Sequence, residues 1–232
     1  MKSDSIIVLL GPPGAGKGTQ AEKLAENFNL IPLSTGQVLR EEARQGSALG
    51  KEAQEIMERG DLVPDSLVAE IVRQRIETAG PSQAVLLDGF PRNLPQADRL
   101  EQLKGVRSLC LVNIEVDEEV VLKRLTGRRY CVDCGRIYNF NLSTPEQEGV
   151  CDTCGVQLVQ REDDREAVFK TRFKVYREET VPLIEVYSQK PNFFAVNGNQ
   201  KPQAVFEEIF AQLGEVDREI DSSAMGSEQR TG

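Results

Sequence analysis

The chain has 232 residues, 39% of them apolar, and a formal charge of −9. That length suits one or two domains with a buried core, and the acidic balance excludes a general affinity for nucleic acid, which calls for a basic face. Histidine is absent, which removes every mechanism built on an imidazole and leaves chemistry that rests on positioning and fixed charge, phosphoryl transfer among it.

MKSDS leads almost directly into a predicted first strand, leaving no room for a leader peptide, and no apolar run approaches the roughly 20 residues that span a bilayer. A cytoplasmic protein with no membrane partner is expected. The strand, Ile6 to Leu10, runs into GPPGAGKGTQ, Gly11 to Gln20, and then into the helical spacing Ala21, Leu24, Ala25, Phe28. Strand, glycine loop and helix are the context of a phosphate-binding loop. Its glycines let successive amides turn inward around an anion, at the positive end of a helix that starts near Lys17. Gly14, Ala15, Gly16, Lys17, Gly18 and Thr19 are the predicted cradle, and Lys17 adds a mobile charge able to follow a phosphoryl group. Gly11-x4-Gly16-Lys17 fits the general motif, but Gly18 stands where a Ser or Thr usually contacts Mg2+. The metal is then held elsewhere, by water and a carboxylate.

Ser34 and Gln37 have the pattern of a capping box, with Val38 and Leu39 opening an apolar face and Arg40 following. Gly46 and Gly60 punctuate a polar helical stretch, Asp61 to Asp65 reads as a turn carrying Leu62 and Val63, and a helix is predicted from about Ser66 to Thr78. Ala84 to Leu87 suits the centre of a parallel sheet. It delivers Asp88-Gly89-Phe90-Pro91-Arg92 at its carboxyl end, where ligands bind in open α/β sheets. Asp88 there could orient water around Mg2+, and Arg92 offers a planar fork matched to phosphate. Ser108 to Ile114 is the next strand, with Cys110 as a buried thiol. The helix after it ends at Thr126-Gly127, and Arg124 and Arg128 project from one face of its end.

Cys131-x2-Cys134 and Cys151-x2-Cys154, sixteen residues apart, have the spacing of a structural Zn2+ site, two knuckles closing a tetrahedron with no position open to substrate. Disulfides are the alternative, disfavoured in a cytoplasmic chain. The insert Arg136 to Val150, with Ile137, Tyr138 and Phe140, is too small for its own core, so metal supplies the missing stabilisation. Asp163 and Glu166 can cap a long helix in which Val168, Phe169, Phe173, Tyr176 and Leu183 keep a helical period, Pro182 bends the axis, and Arg172 lies between two apolar turns. Phe193 to Val196 is a last strand, Asn197 to Gln200 a turn, and about Pro202 to Leu213 an amphipathic helix. Residues 215–232 read as a disordered tail. Five strands alternating with helices predict an α/β fold, a doubly wound five-stranded parallel sheet.

With GPPGAGKGTQ, the STG of Ser34 to Gly36, GDLVPD, DGFPR and the cysteine-bearing insert in this order, the chain resembles the nucleoside monophosphate kinases, adenylate kinases above all, over about Ile6 to Leu213. Gln37 departs from the family's aspartate. The resemblance implies reversible transfer of a phosphoryl group from ATP to AMP, giving two ADP, with Mg2+; a monomer is expected. It implies a P-loop core of residues 1–33, 64–126 and 165–214, an inserted AMP-binding helical segment, 34–63, and a zinc-bearing lid, 127–164, that closes over ATP and excludes water. For AMP it implies Thr35, Arg40, Asp61, Leu62, Val63, Gly89, Phe90, Pro91 and Arg92, with Gln96 reading the adenine edge and Arg161 and Arg172 closing on the phosphates. For ATP it implies the loop with Arg124, Arg128, Ile137, Tyr138 and Gln200. Lys17, Asp88, Arg92, Arg128, Arg161 and Arg172 form the implied catalytic set, in which fixed positive charge, not a base, does the work. A preference for UMP, CMP or GMP stays open, because GFPRN, with Asn93, also occurs in pyrimidine kinases, whereas Thr35 and the long insert favour AMP. A zinc ribbon can also be a nucleic-acid or protein-binding module, but this one interrupts a P-loop fold instead of ending it.

Overall fold

The computed structural model describes residues 5–80, 83–105 and 107–227, with side chains described as far as residue 214. Its strands are β1 (Ser5–Leu10), β2 (Ile31–Ser34), β3 (Val85–Asp88), β4 (Ser108–Glu115), β5 (Arg128–Cys131), β6 (Ile137–Asn139), β7 (Leu158–Val159) and β8 (Phe193–Asn197). Five of them make a parallel sheet in the order β2-β3-β1-β4-β8. From Ile6 onward the central strand is an unbroken apolar run because both its faces are covered. Ile6, Val8 and Leu10 enter one core, and Ile7 and Leu9 enter the other.

Helices α1 (Lys17–Phe28), α2 (Thr35–Arg44), α3 (Ala48–Arg59), α4 (Asp65–Ala79), α5 (Leu94–Leu103), α6 (Glu118–Gly127), α7 (Glu166–Val175), α8 (Val181–Tyr187) and α9 (Pro202–Ser227) complete the chain. Ala21 and Leu24 of α1 and Val205 and Ile209 of α9 pack on one side of the sheet. Val68 and Val72 of α4, Leu100 of α5 and Leu183 of α8 pack on the other. Register sets the functional edge: Leu9 of β1 and Ser34 of β2 both lie beside Asp88 of β3, so three carboxyl-terminal strand ends open onto one place. Gly11 leaves β1 there at φ 133°, and a Cβ on it would sit 2.5 Å from the Ile114 carbonyl of β4. Only glycine lets the loop pass so close.

Three local expectations change. Ser34 is the N-cap of α2 but its side chain makes no capping bond; the first-turn hydroxyl of Thr35 instead crosses to the Gly89 carbonyl at 3.1 Å. Arg165, not an acidic residue, precedes α7, again without a side-chain cap, because Asp163 and Asp164 are drawn to arginines described below. The last helix continues to Ser227 instead of ending near Leu213. Residues 215–227 contain no proline and several good helix formers, so a helix already nucleated on the core propagates through them. The remainder of the expected tail, 228–232, lies outside the described residues. Ahead of Pro182 the α7–α8 helix widens into a π turn, Tyr176–Thr180, which relieves the clash a proline ring makes with the preceding turn. Among the described residues no helix is long and apolar enough to cross a membrane.

Candidate active site

The strand ends, α2, α7 and the β5–β6–β7 sheet enclose a cavity of about 1150 Å³. Gly14 to Thr19, Asp88, Gly89, Pro91 and Arg92 line it from the sheet; Arg40, Asp61 and Leu62 from the α2–α3 side; Arg128, Ile137, Tyr138, Arg161 and Arg172 from the opposite side; Arg124 and Gln200 at one end.

The glycine loop turns at Gly16, φ 97°, into the first turn of α1, and Lys17 reaches back to donate to the carbonyls of Gly11 and Pro12 at 2.8 and 2.9 Å. Enclosure pushes its ammonium from its ordinary 10.5 down to about 8; Asp88 resists, while Arg92, Arg172 and Arg128 add to the fall. Asp88 also stands 3.7 Å from where a Cβ on Gly18 would lie. The carboxylate thus sits where the usual motif puts its metal-binding hydroxyl, and its oxygen is a donor suited to Mg2+ through water.

Two carboxylates hold the arginines. Arg128 grips Asp164 with both forks, Nε to Oδ2 at 2.6 Å and Nη2 to Oδ1 at 2.5 Å, and Arg172 donates to the same Oδ1 at 2.9 Å and to the Asp163 carbonyl at 2.6 Å. Asp164 is wholly buried there. Burial by itself would push the Asp163 carboxyl up, but Arg172, Arg40, Arg128 and Arg161 hold it below its ordinary value. Arg161 lies over the Tyr130 ring at 5.4 Å, and its buried Nε finds no protein partner. Burial, then Arg128 and Arg40, lowers its pKa to about 9. Lys17, Arg40, Arg92, Arg128, Arg161 and Arg172 outnumber Asp88, Asp163 and Asp164 in a space that penalises charge. A polyanion relieves that penalty.

Not every predicted residue reaches the cavity. Thr35, Phe90, Val63 and Gln96 are buried behind its wall; Phe90 belongs to the core, and Val63 faces a second cavity of about 350 Å³. The Gln96 amide donates to Asp65 Oδ1 at 2.6 Å and accepts the Arg92 N–H at 2.8 Å. Arg124 and Arg128 do not share a helix face. The helix stops at Gly127 and Arg128 is extended, so Arg128 turns to Asp164, while Arg124 donates to the carbonyls of Gly198 at 2.8 Å and of Gln200 and Ala15 at 3.4 Å. The Gln200 side chain bonds Asn197 and Glu208.

The four cysteine sulfurs of the insert lie within 4.8 Å of one another. Cys131 N–H is bonded to the Arg136 carbonyl and Cys151 N–H to the Val156 carbonyl, while Gly135 and Gly155 N–H close each knuckle onto the first cysteine's carbonyl. Cys134 and Cys151 sulfurs are 3.7 Å apart, close to the separation of about 3.8 Å that tetrahedral Zn–S bonds of about 2.3 Å demand. This donor set fits Zn2+. Tyr138 joins the knuckles to the cavity it lines, its hydroxyl 3.5 Å from Cys151 Sγ and accepting Asp152 N–H at 3.0 Å.

Asp163 and Asp164 as holders of arginine were missed in the sequence, and so were Asp65 and Thr180. For the acidic pair, REDDR offered a signal: carboxylates packed between arginines. For Asp65 and Thr180 there was none.

The profile of the adenylate kinase family matches residues 9–192. Relatives named adenylate kinase include those of Thermoanaerobacter sp. strain X514, 46% identical, and Archaeoglobus fulgidus, 42% identical, each aligned over 90% of this chain and 98% of the relative. That of Clostridioides difficile strain 630 is 43% identical over the same shares.

Proposed function

This chain belongs to the adenylate kinase family, which transfers a phosphoryl group reversibly from ATP, with Mg2+, to AMP to give two ADP, and from that premise we propose how its residues divide the reaction. The amides of Gly14 to Thr19 cradle the donor's polyphosphate, and Lys17 exchanges the Gly11 and Pro12 carbonyls for phosphate oxygens. Arg128, Arg161 and Arg172 surround the moving phosphoryl group, while Arg92 and Arg40 meet the acceptor's phosphate. Asp88 would hold Mg2+ through water, and the metal so held would supply charge neutralisation on the donor's phosphates. No base is needed, because the acceptor is already an anion. Supporting this division is one observation above the others: Lys17 and seven arginines line a single cavity at the phosphate loop.

For the acceptor base, Leu62 and Asp61 line the entry, and Thr35, Val63, Gly89, Phe90 and Pro91 form its support. Gln96 stands behind the cavity wall with one amide proton and one lone pair beyond those taken by Asp65 and Arg92, and it meets an adenine edge with them once that wall opens. At the donor end, Arg124, Ile137, Tyr138 and the Gln200 backbone frame the other adenine. Residues 34–63 and 127–164 act as acceptor segment and lid around the remaining core, and the protein works as a cytoplasmic monomer without nucleic-acid or membrane partners. A coupled assay with AMP, GMP, CMP and UMP tests the assignment. AMP is expected to lead; a clear preference for CMP or UMP would refute it.

The lid's four thiolates hold one structural Zn2+. One zinc per chain is expected, released by a thiol-modifying reagent with a lowered melting temperature. Metal analysis finding none in freshly purified, reduced protein would remove this site from the account.

A further inference from the structure

We propose that Thr180 is a positioning residue for Arg92: its hydroxyl holds the main chain of the arginine that meets the acceptor's phosphate. This rests on the assignment of Arg92 made above. Thr180 Oγ1 donates to the Arg92 carbonyl at 2.7 Å, 88 residues away in sequence. On the other side of the same residue, Gln96 Oε1 accepts the Arg92 N–H, and Arg92 Nε donates to the Gly89 carbonyl at 2.9 Å. Both polar groups of the Arg92 backbone and the root of its guanidinium are therefore held. A fork fixed in this way meets a phosphate without first losing freedom.

Thr180 is placed for this by the irregularity of its helix. A threonine inside a helix ordinarily bonds back to a carbonyl one turn earlier. Thr180 is the last residue of the π turn, is 7% exposed, and its hydroxyl crosses to the Arg92 carbonyl instead. The same helical element carries Arg172, which is fixed by Asp163 and Asp164. Thr180 thus ties together two arginines from distant parts of the chain that face one cavity, and misplacement by about 1 Å can cost on the order of 100-fold in rate.

Thr180→Val keeps the shape and removes the hydroxyl. It is expected to raise the KM for AMP about 10-fold and to lower kcat, with the KM for ATP within about twofold of wild type, while Thr180→Ser returns AMP kinetics to within about threefold. Should the valine variant not accumulate as folded protein, Thr180→Ala carries the same expectation. Arg92→Ala, alone and combined with Thr180→Val, separates the two claims. The proposal stands if Arg92→Ala impairs AMP use strongly and the double variant is no worse. It is overturned, with the Arg92 assignment intact, if Thr180→Val matches wild type, raises both KM values alike, or adds its full effect to that of Arg92→Ala. Unchanged AMP kinetics in Arg92→Ala would overturn the assignment and the proposal together.

Discussion

Lys17→Ala is expected to lower kcat by about 100- to 1000-fold, the range seen when one preorganised electrostatic donor is removed from a water-excluded site. The fall should appear mainly in kcat, because the moving phosphoryl group gains more from the ammonium as its charge spreads than either ground state does. The pH dependence carries a second signature. In the nucleotide-free protein Lys17 titrates at about 8; a bound polyphosphate favours the ammonium and raises that value. Below about pH 8 the charge is already present and ATP affinity is at its full level. Above it, binding must take up a proton, so affinity falls by up to about tenfold per pH unit. Calorimetric titration of ATP from about pH 7 to 9.5 should show that slope from about pH 8 in wild type and, in Lys17→Ala, only the later fall near pH 9 that belongs to Arg161. The same lowered value means that the unfolded chain binds more protons than the folded one between about pH 8 and 10.5, so this residue's drag on stability is relieved as pH rises through that window. A variant retaining wild-type kcat would show that the ammonium does not serve the transferring group.

Asp164→Asn should be the most damaging change to the fold around the site. The carboxylate is wholly enclosed and answers Arg128 and Arg172 together, and those guanidiniums are only 18% and 17% exposed. Taking away its charge leaves the buried Arg128 without its carboxylate and Arg172 with Asp163 alone, a loss of about 3–5 kcal/mol by the precedent of broken buried ion pairs, or roughly 6–20 °C in a chain of this size. Saturating ATP should recover part of the deficit in the variant, since its phosphates return negative charge to the same arginines. Calorimetric scans of both proteins, with and without nucleotide, test this. A melting temperature within about 2 °C of wild type would show that the pair is a surface ornament of the arginines and not their anchor.

These two residues stood differently in the sequence. Lys17 was legible because a phosphate loop is short-range geometry: a strand, a run of glycines and a helix start can be recognised without any distant contact. DGFPR at a strand end and the cysteine quartet were legible for the same reason. Asp163 looked like a helix cap because capping is a local bond of about 1 kcal/mol, which is the best offer a short segment can make. Once folding brings Arg128 and Arg172 alongside, charge-assisted bonds in a dry site outweigh it. Ser34 and Gln37 lost their capping box in the same manner, with Thr35 answering the Gly89 carbonyl just beyond β3.

The amino-acid sequence by itself determined the sheet, the order of its motifs and the chemical type of the site, since hydrophobic period, glycine placement and cysteine spacing act over a few residues. What the tertiary structure alone decided is which polar groups answer one another: Asp164 to Arg128, Asp65 to Gln96, Thr180 to Arg92. Each polar side chain has several partners of nearly equal energy within its own segment, and burial against a remote part of the chain is what breaks the tie.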